Sequence, residues 1–168
     1  DIEAAISQQG VYWTNTVAAD RAGNAFYADI SGTPNIDEAL LERCQISLPE
    51  SMSYLILLRG DDSSCEWYDD PSSQVAGTLP AQKMPRLTRT DYVSNSNDSY
   101  WLSNADAPLE GYSPVIGAER TARSLRTRAG LTQLAELRAQ KQKLALEDLQ
   151  GMLYNQRNYG AELLLDDV

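Results

Sequence analysis

The spacing of apolar residues changes at Pro114, and that change narrows the folds open to the chain more than any other feature. Beyond it, Leu131, Leu134, Leu137, Leu144, Leu146, Leu149, Met152 and Leu153 recur at three- and four-residue steps with Lys and Arg between them. One face of an α-helix has that period, so two amphipathic helices are predicted, over roughly 117–141 and 145–156. Before Pro114 the apolar residues come in short β-branched and aromatic runs separated by turn formers, the signature of strands.

Val11 to Ala19 is the first such run, Asp20 to Asn24 is rich in turn residues, and Ala25 to Ile30 is the second run. Together they predict a β-hairpin. Ile36 to Arg43 has apolar positions at 36, 39, 40 and 41 and predicts one or two helical turns. Tyr54 to Leu58 predicts another strand, closed by Arg59-Gly60-Asp61-Asp62, and Asp69 to Asp91 reads as a long surface excursion. The fold class is α+β, antiparallel strands first and helices after. The chain is expected to form one segment, strand-rich over 1–113 and helical over 114–157, with no independent second domain. The tail Ala161 to Val168 turns from apolar to acidic, as though an element had been cut before meeting its partner.

Charge and composition exclude several functions. Fourteen Lys and Arg stand against 24 Asp and Glu, a formal charge of -10, which disfavours nucleic acid and anionic membrane as partners. The apolar run at 54–58 is far too short to span a membrane, and Asp1-Ile2-Glu3 has no basic export region. Histidine is absent, which removes Ser-His-Asp and Cys-His catalysis and His-based zinc sites. Cys44 and Cys65 stand 21 positions apart with a strand-like run between them. That spacing suits a loop-closing disulfide better than a redox pair or a zinc cluster, with a free buried pair as the alternative. The paired acids Asp61-Asp62 and Asp69-Asp70 read as solvated loop charges.

The densest polar stretch surrounds Tyr100 and Trp101, with Asn95, Asn97, Asp98, Asn104 and Asp106 crowded together. An asparagine amide held in a tight polar segment can donate its NH2 to a developing oxyanion without proton transfer. An Asx-turn with a capping aspartate explains the same composition without chemistry.

Asn95-Ser96-Asn97-Asp98-Ser99-Tyr100-Trp101, then Gly111-Tyr112-Ser113-Pro114 and Arg123-Ser124-Leu125-Arg126-Thr127-Arg128, resemble the middle of the β-subunit of penicillin-acylase-type N-terminal-nucleophile amidohydrolases. Within that superfamily the chain is most similar to the branch of acyl-homoserine lactone acylases and aculeacin acylase. Trp13 to Asn24 and Tyr27 to Ile30 match the same branch, so the resemblance runs in order along nearly the whole chain.

The resemblance implies a fragment of an αββα sandwich from a self-cleaving precursor, in which a newly exposed Ser attacks and its own amino group is the base. It matches Asn97 to the oxyanion-hole asparagine and leaves Asn95 as structural. It offers Arg123 or Arg126 as the arginine near the nucleophile, and Trp13 as an aromatic lining the acyl-chain pocket, a core position being the alternative. No cofactor or metal is implied. The implied partners are the rest of the β-subunit, the α-subunit of the same precursor and a small acyl-amide substrate, in a periplasmic or secreted setting that also suits a Cys44–Cys65 disulfide. The chain departs from the pattern at its first residue, Asp1, which is not Ser, Thr or Cys; the nucleophile is expected outside this chain and the isolated chain is expected to be inactive. A non-catalytic binding or structural module derived from the same family is the alternative function.

Overall fold

The computed structural model describes residues 2–11, 13–141 and 143–165. The first residue and the acidic end of the tail, 166–168, therefore lie outside the description. The chain divides into two compact units: Asp1–Asn95 with Ser99–Arg120, and Ser96–Asp98 with Thr121–Val168.

The first unit opens with a short helix, α1 (Ile2–Ile6), followed by β1 (Thr16–Ala19) and β2 (Ala25–Ala28). These strands pair antiparallel from Thr16 opposite Ala28 to Ala19 opposite Ala25, forming the hairpin that the sequence predicts with shorter strands. Asp20 closes the turn by accepting from the backbone and side-chain amides of Asn24, and Gly23 takes the positive φ of 87° that the turn requires. A third strand, β3 (Arg86–Arg89), pairs antiparallel on the other side of β2, giving the order β1-β2-β3.

As the central strand, β2 is the most buried, and the alternation of a strand sends its side chains to opposite faces. Phe26 and Ala28 join Ile30, Leu79, Ala81 and Met84 in one apolar cluster. Tyr27, from the intervening position, is fully buried. A second cluster gathers around α2 (Glu38–Cys44), which starts where the Asp37 carboxylate accepts from the Leu40 amide at 2.8 Å. Leu40 and Cys44 pack there with Ile36 and Cys65. Cys44 and Cys65 form the disulfide, their Cα atoms 5.6 Å apart. Closing a loop of this length is worth on the order of 3 kcal/mol in the chain-entropy model.

The second unit contains α3 (Leu125–Gln140), α4 (Leu146–Tyr154) and α5 (Tyr159–Leu164). The Asp148 carboxylate accepts from the Ala145 amide and binds Lys141, fixing the start of α4. Arg157 bridges Glu136 of α3 and Glu162 of α5. The described residues thus have the α+β composition expected, with three strands before residue 113 and three helices after it.

Three sequence expectations need correction. Tyr54 to Leu58 is not a strand: it makes a single bridge, Leu58 opposite Gln45, because only 44–46 lies beside it. Residues 69–91 are a surface excursion only at their start, where 69–76 is mostly exposed. Pro and Gly hide their periodicity, yet Leu79, Pro80, Ala81, Met84 and Pro85 are buried and Arg86–Arg89 is the third strand. The helix expected from 117 begins at Leu125, because Arg120 adopts a positive φ of 52° and the Ser124 hydroxyl caps the Thr127 amide at 3.2 Å.

Candidate active site

In the second unit the Ser96–Asp98 triplet lies against the first turns of α3. Arg126 and Thr127 lie four and three residues before Gly130 and so share a helix face with it. Each has a counterpart in the triplet. Asp98 is the hub: one carboxylate oxygen accepts from Arg123 Nη1 at 2.8 Å and the other from Thr127 Oγ1 at 2.6 Å. The Arg123 side chain is 8% exposed and its guanidinium also donates to the carbonyl and hydroxyl of Thr121. The Asp98 side chain is 23% exposed, so truncating either partner would leave a partly solvated charge short of a hydrogen bond, a loss of about 1–3 kcal/mol.

Asn97 has a φ of 51°, in the left-handed region that asparagine tolerates better than most residues. Its Oδ1 accepts from Arg126 Nη1 at 3.0 Å. A guanidinium can only donate, so the amide oxygen must face it and the NH2 group must face away. The Asn97 side chain is exposed, and among the described residues its NH2 donates to nothing. A Cβ added at Gly130 would come within 3.1 Å of Ser96 Oγ, so the bare glycine lets the triplet approach the helix closely. The arrangement is an amide donor on a constrained backbone, oriented by one arginine and anchored beside a second.

The neighbouring polar residues of the first unit face inward. Asn95 is half-buried, and its NH2 reaches Tyr27 Oη at 3.5 Å and the Ser99 carbonyl at 3.4 Å. Tyr100 is fully buried and donates to Glu119 at 2.5 Å. Glu119 also accepts from the amides of Gly111 and Tyr112. Burial pushes the Glu119 carboxyl up, but the Tyr100 hydroxyl and the two amides together outweigh it, so its pKa lies below the ordinary value. Burial first, and then the bond to Glu119, drives the Tyr100 hydroxyl well above the usual phenol range. Asn104 is buried with its NH2 on the Tyr92 carbonyl at 2.8 Å and its oxygen on the Asp106 amide at 2.9 Å. Glu110 is held to about 2 by Arg120 and the Trp101 indole.

Trp13, in the first unit, is 82% exposed and is not a core residue. Asp61 is paired with Arg59, and Asp70 with Lys83. Among the described residues no group of His, Cys, Asp and Glu is suited to holding a metal, and no helix is long and apolar enough to cross a membrane.

Sequence reasoning missed Asp98 as the hub and Thr127 and Gly130 as its seat. The three-residue step from Thr127 to Gly130 on one helix face was the available signal, but nothing local in the sequence shows that Ser96–Asp98 lies against that face.

The family model for penicillin amidase matches residues 1–168, the whole chain. The acyl-homoserine lactone acylase PvdQ of Pseudomonas syringae pv. syringae is 39% identical over 160 residues, covering 95% of this chain and 20% of the relative. The PvdQ acylase of Pseudomonas putida is 37% identical over the same coverage. Aculeacin-A acylase of Actinoplanes utahensis is 40% identical over 171 residues, covering 93% of this chain and 21% of the relative. The chain thus spans about a fifth of the length of these curated relatives. A match over every residue, together with this identity to several acylases, places the chain in the penicillin amidase family.

Proposed function

We propose that this chain is the oxyanion-binding part of a larger, self-processed amidohydrolase, in which Asn97 steadies the tetrahedral intermediate formed when a Ser outside the chain attacks an acyl amide. The observation that carries this reading is the Arg126–Asn97 bond, which fixes the amide and leaves its NH2 unengaged among the described residues. A preorganised neutral donor of this kind acts where negative charge develops and needs no reorganisation when it does. Neither the general base nor the donor is an imidazole, in keeping with a chain that has no histidine.

In this scheme the Ser hydroxyl adds to the amide carbonyl, its own amine takes the proton and passes it to the leaving nitrogen, and water cleaves the acyl-enzyme. Arg126 is a positioning residue that orients Asn97; Arg123 acts one step further back by fixing Asp98. Trp13 offers a flat apolar surface for acyl methylenes, which suits its exposure. The names of the relatives, acyl-homoserine lactone acylase and aculeacin-A acylase, support acyl amides as the substrate class, and the family resemblance extends it to fatty-acyl amides such as acyl-homoserine lactones or acylated lipopeptides. An αββα sandwich completed by the remaining β-subunit and an α-subunit, in a periplasmic or secreted enzyme, belongs to the same proposal, and the Cys44–Cys65 bond suits such an oxidising compartment.

The test is to incubate the complete processed enzyme with a long-chain acyl-homoserine lactone and measure free homoserine lactone, while sequencing the N-terminus of the larger subunit. Release of the lactone by a subunit beginning with Ser is the expected result. No release from that substrate or from an acyl-lipopeptide, with a subunit starting at a residue other than Ser, Thr or Cys, would favour the non-catalytic module.

A further inference from the structure

The Tyr54–Leu58 run has the sequence of a strand and only half of a strand's partners. Ile46 N–H donates to the Leu57 carbonyl at 2.8 Å and Arg59 N–H to the Cys44 carbonyl at 3.0 Å, so one edge is paired. In an antiparallel arrangement successive residues turn their backbone groups to alternate sides, so the N–H and C=O of Ile56 and Leu58 face away from 44–46. Among the described residues those four groups have no hydrogen-bond partner. The side chains are equally unsatisfied: Leu57 is 48% exposed and Tyr54 78%. Beside this edge runs an apolar cleft of about 610 Å³, walled by Ile36, Ile56, Leu58, Trp67 and Val115. The Cys44–Cys65 disulfide ties α2 to the segment leading into Trp67. Both walls are thus held in place before anything binds, which lowers the ordering cost of docking.

We propose that Ile56–Leu58 is a docking edge that accepts an extended, alternately apolar segment of the same polypeptide from outside residues 1–168. Extended backbone supplies donors and acceptors at the spacing the free edge needs, and its alternate side chains fill the cleft. An acyl chain would fill the cleft but would leave the edge groups dry and unpaired. The source of the segment follows from length: relatives sharing this sequence are about five times longer, so one polypeptide has ample chain to supply it. The inference rests on the reading of this chain as part of a larger acylase.

Amide hydrogen exchange on the complete processed polypeptide tests it, with the already paired amides of Ile46 and Arg59 as internal references. The Ile56 and Leu58 amides are expected to exchange within about tenfold of those references, independently of protein concentration. Unprotected exchange at Ile56 and Leu58 alongside slow exchange at Ile46 and Arg59 overturns the proposal. Protection that disappears on dilution as a dimer dissociates overturns it in favour of a second copy, and protection that requires added fatty acid overturns it in favour of a lipid site. Acyl-amide hydrolysis by the same sample separates the two claims: an active enzyme with an open edge defeats the docking alone, and a protected edge in a polypeptide that hydrolyses no acyl amide defeats the catalytic reading alone.

Discussion

The Ser96–Asp98 triplet and the Tyr100–Asn104 segment are drawn from one polar stretch, and they differ in where their hydrogen-bonding capacity goes. In Tyr100–Asn104 the tyrosine hydroxyl and the asparagine amide are buried and engaged by groups of their own unit, Glu119 and the backbone around Tyr92 and Asp106. In the triplet, Asp98 is engaged in the same way, but Asn97 is held by its oxygen alone and presents its NH2 outward. Burial with full engagement marks a side chain that supports the fold. Orientation with an open donor marks one available for a ligand.

Substitutions at the two asparagines should therefore separate activity from stability. In the complete enzyme Asn97→Ala is expected to lower kcat on the order of a hundred- to a thousandfold, with a stability loss of no more than about 1 kcal/mol, because the side chain is exposed and only the left-handed φ of 51° disfavours alanine. Asn104→Ala should do the reverse, losing about 1–3 kcal/mol as the Tyr92 carbonyl and Asp106 amide lose their partner, while folded molecules keep their turnover. Steady-state kinetics beside denaturant titration reads both. A loss of stability at Asn97 matching that at Asn104 would erase the distinction.

Arg126→Ala sharpens it at a smaller scale. Freed from its partner, the Asn97 amide can turn over, and kcat should fall about tenfold, with Arg126→Lys recovering part of the rate as a single-point donor. Because arginine acts through the asparagine, the double variant with Asn97→Ala should be no slower than Asn97→Ala alone.

The smallest effect is in pH dependence. The Glu119 carboxyl sits below its ordinary value in the fold, so the stability it contributes is complete above the unfolded carboxylate pKa and is lost as pH falls through the lowered folded one. The thermal midpoint of the native protein should drop on acidification below about pH 4, and Glu119→Gln should flatten that component. An identical acid profile in the variant would show that Glu119 is not the group responsible.

Much of this organisation was legible in the residues. The hairpin declared itself through β-branched runs around Asp20 and Gly23, the Cys44–Cys65 pairing through its spacing, and α4 through its leucines. Family membership came from linked motifs rather than from periodicity. What stayed hidden was non-local. Nothing in the Pro- and Gly-rich 69–91 segment announces that Leu79 and Met84 pack on β2, because irregular backbone carries no period. Tyr54–Leu58 reads as a strand because propensity reports a preference for pairing and not the presence of a partner. Where Arg123 and Arg126 point depends on the true start of α3: with Ser124 as the cap, Arg126 falls beside Asn97 and Arg123 turns to Asp98.

The most direct measurement is the turnover of Asn97→Asp in the complete enzyme. Aspartate keeps the size and shape of the side chain, and its carboxylate still binds Arg126, but an acceptor replaces the outward donor. The account predicts a rate at least as low as that of Asn97→Ala, because a carboxylate oxygen would repel the charge that the amide stabilises. Turnover close to that of the native enzyme would contradict it.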